Sequence, residues 1–167
     1  SGLDIGEKID PIYIEDLLRK ELDKYNGIRF DYSAKLSGYD LELAVYPNSR
    51  DFMDKWPIYT KLDYLEEMNH IIKKYYPQLK INGNIEYPNR ESIEFLIENG
   101  KIRSAALERE TEEFLNNRYD VFASSGIRIP MKYKLQALNF NDYKLLVDMA
   151  FDINNSKWNK TMEDELG

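Results

Sequence analysis

Six runs of this sequence alternate apolar and polar residues with a period of two, which restricts much of the chain to sheet with one wet face. Ile28, Phe30, Tyr32, Ala34 and Leu36 interleave with Arg29, Asp31, Ser33 and Lys35. After Ser37-Gly38, the set Leu41, Leu43 and Val45 interleaves with Asp40, Glu42 and Ala44, so the two runs read as a hairpin. Leu79, Ile81, Ile85 and Tyr87 form a third run, loosened by Asn82-Gly83, and Ile93, Phe95 and Ile97 a fourth that ends at Asn99-Gly100. Ile127 to Leu135 and Tyr143 to Phe151 complete the set.

Helical spacing precedes each pair of runs. Asp10-Pro11 is a start signal, a capping carboxylate before a proline whose missing N–H is no loss at a first helical position. Ile14, Leu17, Leu18, Leu22 and Tyr25 then recur on one face, which predicts a helix over about residues 11 to 25 stopped by Asn26-Gly27. Thr60 or Asp63 is the expected cap of a second helix carrying Leu62, Leu65, Met68, Ile72 and Tyr75, and Pro77 stops it. Ser104 caps a third, running to about residue 119.

The expected fold is therefore α+β, one domain over residues 1–167 built from three αββ units at about 10–46, 60–98 and 104–152. Their strands make a mostly antiparallel, six-stranded sheet in a two-layer sandwich, with three helices on one face. Residues 153–167 read as a polar tail, and Pro47 to Tyr59 as a long loop outside the units.

Charge and cysteine content narrow the function classes. The 30 Asp and Glu against 23 Lys and Arg leave a net charge of −7, which argues against a nucleic-acid or anionic-membrane partner held by bulk charge. With no cysteine there is neither a disulfide framework nor a thiolate zinc site. No apolar run is long enough to span a membrane. The opening Ser1-Gly2 reads as a processing scar, which predicts an upstream leader or lipid anchor and an extracytoplasmic address. A cytoplasmic address is the alternative.

Local motifs for catalysis are missing. His70 is the only histidine, flanked on its helix by Glu66, Glu67, Lys73 and Lys74, and reads as an exposed residue beside a carboxylate. Glu108 and Glu112 share a helical face, yet no glycine-bearing calcium loop accompanies them, and a solvated face with ion pairing is expected. The sequence holds no glycine-rich phosphate loop and no nucleophile elbow, so no cofactor, metal or catalytic residue is assigned. Carboxylates brought together from distant segments, as in a hydrolase, would leave no local trace.

Two features remain as binding candidates. The loop residues Phe52, Met53, Trp56 and Tyr59 are large and apolar in an irregular segment, which suits either a contact surface or a cap on the core. The polar face of the sheet carries Lys35, Lys80, Asp40, Glu42 and Glu94 among others, with opposite signs expected to pair across strands. The hairpin from Ile81 to Ile97 resembles, in style alone, small domains from the envelopes of Gram-positive bacteria. The expectation is a non-catalytic binding or structural module of a bacterial cell envelope, whose partner is a protein or an envelope component. An acidic immunity or inhibitor protein in the cytosol is the alternative of a different class.

Overall fold

The computed structural model describes residues 9–48, 55–88 and 90–135, together with the backbone of 136–139 and 145–151. Elements run in the order α1 (Pro11–Glu21), β1 (Lys24–Tyr25), β2 (Ile28–Ser37), β3 (Asp40–Pro47), α2 (Ile58–Tyr75), β4 (Lys80–Ile85), β5 (Ile93–Glu98), β6 (Lys101–Arg103), α3 (Ala105–Arg118), β7 (Val121–Ser124), β8 (Ile127–Asn139) and β9 (Leu145–Phe151). The α+β class holds: three helices accompany a curled, mostly antiparallel sheet. Its six long strands, β2, β3, β4, β5, β8 and β9, are the six alternating runs. Three short strands raise the total among the described residues to nine, so each helix is followed there by three strands where two were expected.

The extra strands arise from two-residue turns. Asn26 and Gly27, Asn99 and Gly100, and Ser125 and Gly126 all have positive φ, the geometry that matches the twist of a tight hairpin. Asn26-Gly27 therefore turns β1 back onto β2, and α1 ends at Glu21, short of the expected residue 25. Asp10 caps α1 as expected, its carboxylate accepting from Ile12 N–H at 3.0 Å. The expected caps of α2 fail: the helix starts earlier, at Ile58, and Thr60 lies buried inside it. The reason is Trp56, whose burial on the core leaves Pro57 at the helix start.

The sheet order is β1-β2-β3-β4-β5-β6-β8-β7, with β9 on β8. All pairings are antiparallel except β3 with β4, which α2 connects as a crossover. One continuous core joins Ile14 and Leu18 of α1, Tyr64, Leu65, Met68 and Ile72 of α2 and Leu107 of α3 to the apolar faces of β2 to β6. A second, small cluster of Ile127, Ile129 and Met131 lies on β8.

Two helices clasp strand edges through side chains. On α1, Glu15 accepts from the Ala34 N–H at 3.1 Å, and one turn on Arg19 donates to the Tyr32 carbonyl at 3.0 Å. On α3, Glu112 accepts from the Leu135 N–H at 2.6 Å. One turn on, the Asn116 amide meets both backbone groups of Tyr133, at 2.8 and 3.0 Å. In both cases an i, i+4 pair satisfies main-chain groups that no neighbouring strand reaches. Between α2 and α3, Lys61, 8% exposed, meets both oxygens of Glu110 at 2.6 and 2.7 Å.

A tyrosine pair sits in the core. Tyr32 donates to the Leu22 carbonyl at 2.5 Å and accepts from the Tyr64 hydroxyl at 2.6 Å. Burial pushes both phenols well above the ordinary tyrosine range, and burial also pushes Tyr87 up to about 12. A folded state that holds these protons is stabilised at pH below the ordinary phenol range and loses that contribution as pH rises through the raised values. Stability is thus expected to fall above about pH 10, with Tyr32, Tyr64 and Tyr87 ionising only as the chain unfolds. Phenolate absorbance followed beside circular dichroism checks this. All tyrosines ionising together in a folded protein would refute it.

Candidate functional site

The face of the sheet turned away from the helical core is hollow. Strand register places Lys35, Glu42, Asn82, Leu96 and Arg103 opposite one another in a single row across β2, β3, β4, β5 and β6. The adjoining row holds Ser33, Ala44, Asn84 and Glu94. Because side chains two apart share a face, Asn82 and Asn84 stand together on the central strand, flanked by the short Ala44. These residues, with Tyr46 and with Ser104 and Glu108 from the start of α3, line a cavity of about 710 Å³.

The wall at the α3 end is fixed by Ser104. Its hydroxyl donates to the Glu94 carbonyl at 2.6 Å and accepts from the Leu107 N–H at 3.2 Å, so one side chain both caps α3 and ties it to β5. Arg103 and Glu108 are thereby set beside the row from β5. On the opposite, core-facing side of β4, Gly83 lets the buried Phe95 ring lie against the strand: a Cβ at residue 83 would come within 2.0 Å of that ring.

The charges here do not pair. Lys35 and Glu42 are opposite in register, yet among the described residues no ion pair or side-chain hydrogen bond involves Lys35, Glu42, Glu94, Arg103 or Glu108. The cross-strand pairing expected of a solvated face is absent at this spot. Beneath them the Asn84 Oδ1 is buried with no hydrogen-bond partner among the described residues, as is the Asn69 Oδ1 on α2, outside the hollow.

The loop candidates fall elsewhere. Trp56 is 3% exposed, packed 5.3 Å from Phe30 and 5.2 Å from Tyr64 by ring centroids, and its Nε1 donates to the Tyr87 hydroxyl at 2.8 Å. Tyr59 is exposed on α2, with its ring edge-on to Phe114. Phe52 and Met53 lie outside the described residues, as does the tail 153–167. His70 is exposed on α2, away from the hollow. Glu108 and Glu112 part company, Glu108 lining the hollow and Glu112 holding β8. Among the described residues no three His, Asp or Glu side chains gather as metal ligands, and no helix is long and apolar enough to cross a membrane.

Arg103 escapes the sequence reading because β6 has three residues, too few to show alternation, whereas Glu108 is visible there only as one of a helical carboxylate pair. The signal for Arg103 is the Asn99-Gly100 turn between Ile97 and Ile102, which implies a returning strand. Comparison with family models, with curated proteins and with solved structures gives no match. Fold and site together define an α+β protein whose curled sheet carries a hollow, polar face.

Proposed function

We propose that this chain is a non-catalytic binding module of a bacterial cell envelope and that its partner, a protein or an envelope component, seats on the hollow face of the sheet. The observation that carries this reading is the group of five charged side chains of both signs that line one cavity without pairing among the described residues. Isolated charges on a flat surface are commonplace; unpaired charges of both signs around a concavity supply complementarity for a polar partner. The envelope address is supported by the cysteine-free composition, which suits export without disulfide chemistry. The same proposal takes the chain as three αββ units in a two-layer sandwich, supported by the like manner in which α1 clasps β2 and α3 clasps β8.

The test is chemical-shift mapping of labelled protein against soluble fragments of bacterial envelope. Resonances of β3, β4, β5 and β6 are expected to move, and the combined variant Lys35→Ala, Glu42→Ala, Arg103→Ala is expected to fold normally and to lose the response. Shifts confined to the outer helix surfaces, or none, would defeat the proposal. A response only to a basic protein would favour the acidic inhibitor instead.

A further inference from the structure

Resting on that reading, we infer that the hollow face takes an extended peptide carrying both an acidic and a basic side chain. The molecule itself shows how a side-chain amide of this protein holds extended backbone. Asn116 accepts from the Tyr133 N–H at 2.8 Å and donates to the Tyr133 carbonyl at 3.0 Å, a two-point contact with one residue of an extended strand. Asn82, in the row of charges, presents the same amide chemistry to the cavity. Its oxygen suits a peptide N–H and its NH2 group the adjacent carbonyl.

Dimensions and charge agree with this occupant. Five strands about 4.8 Å apart span about 19 Å, the length of about six extended residues. Arg103 at one end of the row and Lys35 at the other each present a cation to a ligand carboxylate, and Arg103 does so with a planar fork. Glu94 and Glu108, next to Arg103, present carboxylates to a ligand amine or guanidinium. Leu96 gives the row one apolar contact between Asn82 and Arg103. A neutral saccharide would use the amides and leave these charges desolvated and unpaired, which is unfavourable.

The experiment passes a pool of random hexapeptides, blocked at both ends, over the immobilised protein and sequences what is retained. In parallel, β-linked N-acetylglucosamine oligomers compete for the same column. Retained peptides are expected to be enriched in those with at least one acidic and one basic residue. Asn82→Ala is expected to lower their retention about tenfold while the melting temperature stays unchanged. Arg103→Gln, at an exposed position, is expected to remove the preference for an acidic residue. No enrichment, equal retention by Asn82→Ala, or displacement by the sugar oligomers would each overturn the inference. If envelope fragments still move the β3 to β6 resonances while peptides are not retained, the binding face survives and its peptide ligand does not. If neither binds, both readings fail.

Discussion

Trp56→Ala is expected to lower the stability of the protein by about 4 kcal/mol, and with it the melting temperature by about 8–16 °C. The indole is 3% exposed and touches Phe30 and Tyr64, both of which belong to the central core. Truncation would open a large cavity among aromatic rings that are held by β2 and α2 and cannot collapse into it. It would also leave the buried Tyr87 hydroxyl without the indole N–H that it accepts at 2.8 Å. Trp56→Phe keeps most of the volume and loses the hydrogen bond, so it is expected to recover more than half of the loss. Urea unfolding followed by circular dichroism measures both. An unchanged melting temperature for Trp56→Ala would show that the residue is not structural, and would return the loop from Pro47 to Tyr59 to the status of a recognition surface.

Gly83→Ala is the second large effect, about 3 kcal/mol of destabilisation. In most strands this exchange would help, since alanine restricts the unfolded chain. Here the new methyl carbon would sit 2.0 to 2.6 Å from three atoms of the Phe95 ring, and that side chain is 4% exposed with core on every side. Residues 83 and 95 are direct partners in the β4–β5 ladder, so the ring lies across the glycine and covers backbone that has no side chain of its own. Adding Phe95→Leu to Gly83→Ala is expected to restore about half of the loss, because the shorter side chain clears the methyl group. The double-mutant cycle reads this as a coupling energy. Independent, additive effects of the two changes would contradict the packing described.

Much of the fold was legible because one physical rule, burial of one strand face, acts on every residue of a long strand. The runs around Phe30, Leu43, Phe95 and Ile129 identify themselves in that way. Short elements give the rule too little length: β1 has two residues and β6 three, and only the Asn-Gly dipeptides between partners betray them. The start of α2 was misplaced for another reason. Thr60 is a good cap in isolation, but burying Trp56 outweighs what one capping hydrogen bond contributes.

The candidate site was legible in part. Lys35, Glu42 and Glu94 announce themselves as polar residues of alternating strands. What the alternation could not show is that their charges go unpaired, since pairing depends on side-chain reach across a curled sheet. Asn82 reads in the sequence as a loosening residue beside Gly83, and Asn84 gives no signal there. Their place at the floor of a hollow follows from the parallel β3–β4 contact, which joins segments forty residues apart, Leu41 with Ile81. Such a contact follows from tertiary structure alone.

The clasps of Glu15 with Arg19 and of Glu112 with Asn116 bear on how the protein behaves in a crowd. A strand edge with free N–H and C=O groups is a template on which another chain can add a strand, and repeated addition grows a fibre. On β2 and β8 that template is already read, by two side chains from a helix instead of by a strand. At β2 the helix thus serves as a blunt end, and on β8 it fills the stretch of edge between the contacts with β7 and β6, in both places leaving no backbone there to copy. Growth of polymers from β2 would first require α1 to leave, and α1 is bound into the core through Ile14 and Leu18.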